Sequence, residues 1–186
     1  MRRSLGTIEP GPADLEIGRM RRRHLKGILA IERQVYPRPW SPSLFLAEMS
    51  EQSNRAYLVA RSGRDILGYG GLICYGDEAH ITTIAVDPDH HRRKIGTRLL
   101  YELIHAAVDM GARAVSLEVR VSNWGAQRLY GRFGFRPVGV RKNYYQETNE
   151  DALIMWVDDV HLAEYQDLLE RLVPGAGVGS TSGRRP

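Results

Sequence analysis

Apolar residues recur along this chain with two alternating periods, one near two residues and one near 3.6, which outlines a fold built from both strands and helices. Residues 15–20 predict a short first strand. Residues 22–35 carry Leu25, Ile28, Leu29, Ile31 and Val35 at near-helical spacing. The Pro-Arg-Pro-Trp-Ser-Pro run at 37–42 must end that helix, because proline lacks an N–H and restricts the residue before it. Ser41 is then a good N-cap for a second helix, with Pro42 at its first position and Leu44, Phe45 and Met49 as its buried side. Strands are expected at 55–61, 65–75 and 79–86, separated by Ser62-Gly63 and Gly76-Asp77; such short turns imply an antiparallel meander. The strongest helical stripe is Ile95, Leu99, Leu103, Ala106 and Met110 within 93–110, stopped by Gly111. A strand at 114–119, a helix at 123–133, strands at 135–145 and 152–157 and an amphipathic helix at 159–172 complete the pattern. The expected class is α+β, a mixed, mostly antiparallel sheet of about seven strands with helices on both faces.

Composition narrows the setting. With 186 residues and 42% hydrophobic content, the chain can build one core, expected over 14–173. The flanks, 1–13 and 174–186, are rich in glycine and proline and are expected to be a flexible and a disordered tail. The net charge of +4 comes from two clusters: Arg19, Arg21, Arg22, Arg23 and Lys26, then Arg92, Arg93 and Lys94. The first reads as a solvated face. No nucleic-acid reading motif or interleaved aromatics accompany it, so nucleic acid is not an expected partner. Cys74 is the one cysteine, which excludes an intrachain disulfide; in its apolar stretch it reads as a small buried hydrophobe. That usage fits the cytosol. No apolar run nears the roughly 20 residues of a membrane span, and the arginines at the start precede no apolar signal core, so a cytoplasmic protein without a membrane partner is expected. The six histidines show no ligand pattern with cysteine or carboxylates, and no metal is expected.

The 86–97 segment, Val-Asp-Pro-Asp-His-His-Arg-Arg-Lys-Ile-Gly-Thr, enters the strongest helix from a strand. A helix start offers free N–H groups and positive potential, so a phosphate or pyrophosphate suits it, aided by three consecutive cations. Gly96 would let a ligand approach the backbone closely. Read without that ligand, the same residues are a turn with solvated cations and a packing glycine. Neither a P-loop nor a dinucleotide fingerprint is present.

This segment resembles the coenzyme A signature of the GNAT acetyltransferase superfamily, whose pattern is [QR]-x-x-G-x-[GA] at the start of its central helix. The resemblance implies that His91, Arg92, Arg93, Lys94, Ile95, Gly96 and Thr97 hold the pyrophosphate of acetyl-coenzyme A. It implies that the strand Ile84, Ala85 and Val86 contacts the acetyl-pantetheine arm. His91 replaces the usual Gln or Arg, and Lys94 replaces the first glycine. A positive φ at Lys94 would be strained, whereas helical backbone would make the lysine free of cost; the helical case is expected.

A second block spans 116–135. Ser116, Glu118 and Arg120 share one strand face, and a mid-strand glutamate is disfavoured unless it reaches solvent or has a task. Ala126, Leu129, Tyr130 and Phe133 form a helical stripe on which Tyr130 reads as core by period alone. Together with Asn143-Tyr144-Tyr145 and the 39–45 segment, this block is similar to ribosomal-protein alanine N-acetyltransferases and related protein N-terminal acetyltransferases, over about residues 14–158. That resemblance implies Glu118 as the base for the amine and Tyr130 as the acid for the departing thiolate. It implies Asn123 as a cofactor contact, besides its reading as a helix cap, and Trp40, Tyr144 and Tyr145 as borders of a peptide slot. The implied substrate is a protein N-terminus, and the family's name points to a ribosomal protein. An α-amine with pKa near 7.7–8.0 is about a tenth neutral at pH 7, whereas a lysine near 10.4 is below about one in a thousand, which favours α-amine chemistry with a modest base. A small-molecule amine, a lysine, or a silent acyl-coenzyme A-binding module remain the alternatives.

Overall fold

The computed structural model describes residues 14–51 and 53–175. The expected tails therefore lie outside the described residues, apart from Pro174 and Gly175. Seven strands, β1 (Glu16–Arg19), β2 (Arg55–Ser62), β3 (Asp65–Tyr75), β4 (Glu78–Val86), β5 (Ala114–Arg120), β6 (Arg136–Tyr145) and β7 (Glu150–Val157), form one sheet in the order β1-β2-β3-β4-β5-β7-β6. The α-helices are α1 (Leu25–Val35), α2 (Pro42–Ser50), α3 (Ile95–Asp109), α4 (Trp124–Arg132) and α5 (Ala163–Leu172). The expected meander is β1 to β4, all antiparallel. The pair β4–β5 is parallel, and α3 supplies the crossover that such a pair requires.

Two helical starts fall later than the apolar spacing suggests. Arg22–His24 form a single 3-10 turn before α1, closed by the Arg21 N–H donating to His24 Nδ1 at 3.1 Å. The last helix starts at Ala163, because Asp159 takes a left-handed φ of 58° while Val160 plugs into the core.

Helices cover both faces. Ile28 and Ile31 of α1 and Phe45 of α2 pack with Tyr57, Tyr69 and Ala85. On the other side α3, α4 and α5 contribute Leu103, Tyr130 and Leu169 to the larger cluster around Leu72 and Leu117. Gly71 is required by this layering: a Cβ there would sit 2.1 Å from the Tyr57 ring.

β4 and β5 are paired only from Glu78–Ala114 to Ile81–Leu117. Beyond that point they part. β5 remains paired with β7 through Arg120, and β4 with β3 through Val86, so the gap is a cleft inside an otherwise continuous sheet.

Candidate active site

The cleft begins at a bulge. Leu72 faces Ile81 and Gly71 faces Thr83, which leaves Thr82 as the extra residue of β4. The Asp87 N–H then donates to Leu67 O at 2.9 Å. By the two-residue alternation of an antiparallel ladder, the inward hydrogen bonds fall to the Ala85–Tyr69 pair. The amides of Ile84 and Val86 therefore turn toward the β5 side, where no strand meets them. Side chains reach the carbonyls on that side: the Tyr36 hydroxyl donates to Ile84 O at 3.4 Å, and His91 Nε2 lies 3.1 Å from Val86 O.

Two cavities meet at this parting. One, about 630 Å3, is lined by Ile84, Ala85 and Val86 and by His91, Arg92, Lys94, Ile95, Gly96 and Thr97. The other, about 430 Å3, is lined by Trp40, Glu118, Tyr144 and Tyr145 among others. Ile84, Asn123 and Tyr130 belong to both.

In the larger cavity the expectation for Lys94 fails. Its backbone is left-handed, φ 60° and ψ 14°, and Arg92 is also at φ 61°. Lys94 is the N-cap of α3, not a residue of its first turn, because the chain must reverse out of the His91 corner before the helix begins. A left-handed residue followed by a right-handed one cups successive N–H groups into an anion-binding concavity. No side chain caps α3 and no acidic residue lies in its first turn, which leaves those donors to the cavity. Gly96 has room of its own: an added Cβ would meet Val86 and Leu129 at 3.6 and 3.7 Å, ordinary contacts, so the chain's own packing does not demand glycine. Arg128 and Arg132 of α4 line the same cavity and add two cations that sequence reading missed. Arg93 lies outside both cavities and is exposed.

In the smaller cavity Glu118 is held from two sides. His80 Nε2 lies 2.9 Å from Oε2, and Arg141 Nε forms an ion pair with Oε1 at 3.0 Å; the Glu118 side chain is 8% exposed. The His80 hydrogen bond, against some desolvation and with help from Arg141, holds its carboxyl below the ordinary range. His80 Nδ1 in turn lies 2.9 Å from Ser116 Oγ. Tyr130 is 9% exposed, and burial pushes its phenol up, so it stays protonated at neutral pH. Tyr144 and Tyr145 meet edge-on at 5.1 Å, and the Arg120 guanidinium lies 3.8 Å from the Tyr145 ring centroid. Trp40 packs at 5.3 Å from Phe45 and 6.4 Å from Tyr57. Asn123 caps α4, accepting from the Ala126 N–H at 3.1 Å, and borders the cavities as well.

Thus β4, the 87–94 loop, the start of α3, β5, α4 with its cap, β6 and the 37–42 loop bring the expected residues to one cleft, Arg93 excepted. Sequence reading missed Glu32, Tyr36, His80 and Arg141. Glu32 had left a signal, a carboxylate four residues after Ile28 on the apolar stripe of α1. His80 and Arg141 had none, since their meeting with Glu118 depends on strand register across the sheet.

The profile of the Acetyltransferase (GNAT) family matches residues 25–135. The chain belongs to the GNAT acetyltransferase family. As a member it is an N-acetyltransferase, with the seven-stranded mixed sheet seen here. It is similar to the N-alpha-acetyltransferase RimI of Mycobacterium tuberculosis, 37% identical over 145 residues that cover 75% of this chain and 89% of the relative. Its structure resembles that of the ribosomal-protein-S18-alanine N-acetyltransferase from Escherichia coli, with a TM-score of 0.70 and 30% identity over 78% of this chain and 94% of that one. A GNAT family acetyltransferase from Elizabethkingia anophelis with acetyl-CoA bound shares the fold at 18% identity and a TM-score of 0.63, over 79% of this chain and 99% of that one. Among the described residues of this GNAT protein, no helix is long and apolar enough to cross a membrane.

Proposed function

We propose that this acetyltransferase moves the acetyl group of acetyl-coenzyme A to the free α-amine of a protein N-terminus, in the cytoplasm, with a ribosomal protein as its natural substrate. One observation carries the reading: a cavity with an uncapped helix start and a cavity around a buried carboxylate share Ile84, Asn123 and Tyr130 at the strand gap. The similarity to the N-alpha-acetyltransferase of Mycobacterium tuberculosis and the ribosomal-protein-S18-alanine N-acetyltransferase of Escherichia coli supports the α-amine and the ribosomal substrate.

The N–H groups at the start of α3 and the cations Arg92, Lys94, Arg128 and Arg132 suit the pyrophosphate and phosphate of the cosubstrate. The outward amides of Ile84 and Val86 bind the pantetheine arm, and one of them donates to the thioester oxygen as it gains negative charge. The neutral amine forms the C–N bond. Its nitrogen becomes strongly acidic as it does so, and Glu118 takes the proton, directly or through water. A carboxyl held below its ordinary range is ionised at neutral pH and free to accept that proton, which suits an amine that is already partly neutral. As the C–S bond breaks, the sulfur keeps the electron pair and Tyr130 delivers a proton to it.

Acetyl-coenzyme A offered with peptides that vary at their first two residues tests the proposal. Acetate should appear on free N-termini and not on N-terminally blocked copies. Transfer to internal lysines of blocked peptides at an equal rate would overturn it.

A further inference from the structure

Glu32 occupies a position where α1 needs a hydrophobe. It follows Ile28 by four residues on the buried stripe and is 1% exposed. No lysine, arginine or histidine forms an ion pair with it among the described residues. Desolvation pushes its carboxyl up, and two hydrogen bonds oppose that shift. Oε2 accepts the Trp40 N–H at 2.7 Å, and Oε1 accepts the Tyr69 hydroxyl. A buried carboxylate without a cation is costly unless its donors are well placed. Here the donors are a residue of the sheet face that α1 covers and a loop that has few to give, since Pro37, Pro39 and Pro42 have no N–H.

The bond to Trp40 has a consequence at the cleft. It ties the proline-rich loop to α1 and sets the indole against Phe45 and Tyr57. Trp40, Glu32 and Arg38 then wall the cavity that also holds Glu118 and the tyrosines 144 and 145. Nothing else in the described hydrogen bonds holds the Trp40 backbone in this place.

We infer that Glu32 is a positioning residue for the acceptor: by gripping the Trp40 amide it fixes the aromatic wall that limits which first residue of a peptide fits beside Glu118. This rests on the reading of the smaller cavity as the peptide slot. Glu32 touches neither reacting group and acts through Trp40.

The test compares Glu32→Met, which fills the space but accepts no hydrogen bond, with Glu32→Gln, whose amide oxygen can accept from Trp40 and whose NH2 can donate to Tyr69. For Glu32→Met the peptide KM should rise roughly tenfold, as for a misplaced binding wall. The acetyl-coenzyme A KM should stay put, and the spread of kcat/KM over peptides differing only at the first residue should shrink. Glu32→Gln should stay near wild type on all three. Trp40→Ala, which removes the wall itself, should reproduce the lost spread if the methionine variant does not fold. In a Trp124→Phe/Trp156→Phe background Trp40 is the sole tryptophan, and its emission should shift red with Glu32→Met and not with Glu32→Gln. An unshifted emission, or equal rises in both KM values, overturns the inference while peptide acetylation by the wild type still stands. Wild-type protein that acetylates no free N-terminus overturns the functional reading instead, whatever the fluorescence does.

Discussion

At the start of α3 the chain leaves donors without partners: no side chain caps the helix, and the β4 amides of Ile84 and Val86 face the strand gap. Across that gap the polar groups are answered. Glu118 has His80 and Arg141, Arg120 has Glu147 and Glu150, and Lys142 has Asp151. Under the proposed function the first arrangement is binding capacity for a polyanion, shaped by left-handed backbone at Arg92 and Lys94. The second satisfies its polar groups inside the protein, which under the proposed function would hold reacting groups in position and leaves little charge free to attract. The contrast predicts that changes on one side alter chemistry and changes on the other alter cosubstrate affinity.

The largest effect should come from the shared waist. Tyr130→Phe should cut kcat by about 10² to 10³, within the span usual for a lost general acid, with acetyl-coenzyme A affinity by calorimetry unchanged. A parallel loss of affinity would erase the distinction between the two sides. Glu118→Gln should cost about 10² in kcat/KM for the peptide. Its pH dependence sharpens the point. The folded carboxyl lies below its ordinary value of 4.5, so its stabilising contribution is full above that value and lost as pH falls through the folded one. The difference in melting temperature between wild type and Glu118→Gln should therefore be flat above pH 4.5 and change only below it.

On the other side, Gly96→Leu should raise the acetyl-coenzyme A KM by roughly tenfold and leave the peptide KM alone, because the added atoms fill the approach to the backbone. The smallest effect concerns Lys94. Lys94→Gly should relieve about 1 kcal/mol of left-handed strain and raise the melting temperature by roughly 2–4 °C, whereas Lys94→Ala should not. Calorimetric scans of both variants decide this.

The strand and helix order was legible because stripes such as Ile95, Leu99 and Leu103 report burial locally. The Ser41 cap of α2 and the Asn123 cap of α4 were legible for the same reason, as each is a contact within three residues. Lys94 was misread because its φ is set by how the corner closes, not by its neighbours' propensities. The order β5-β7-β6 places Arg141 against Glu118 through pairing between distant segments, and no local pattern encodes that. Glu32 was missed although it breaks the stripe of α1, and its partners Trp40 and Tyr69 come from a loop and a strand whose approach only the fold determines.

The early parting of β4 from β5 also has a kinetic corollary. The two cavities share only Ile84, Asn123 and Tyr130 of their linings. With one substrate in each cavity, as in the proposed function, donor and acceptor would be aboard together, and double-reciprocal plots of initial velocity should intersect instead of running parallel.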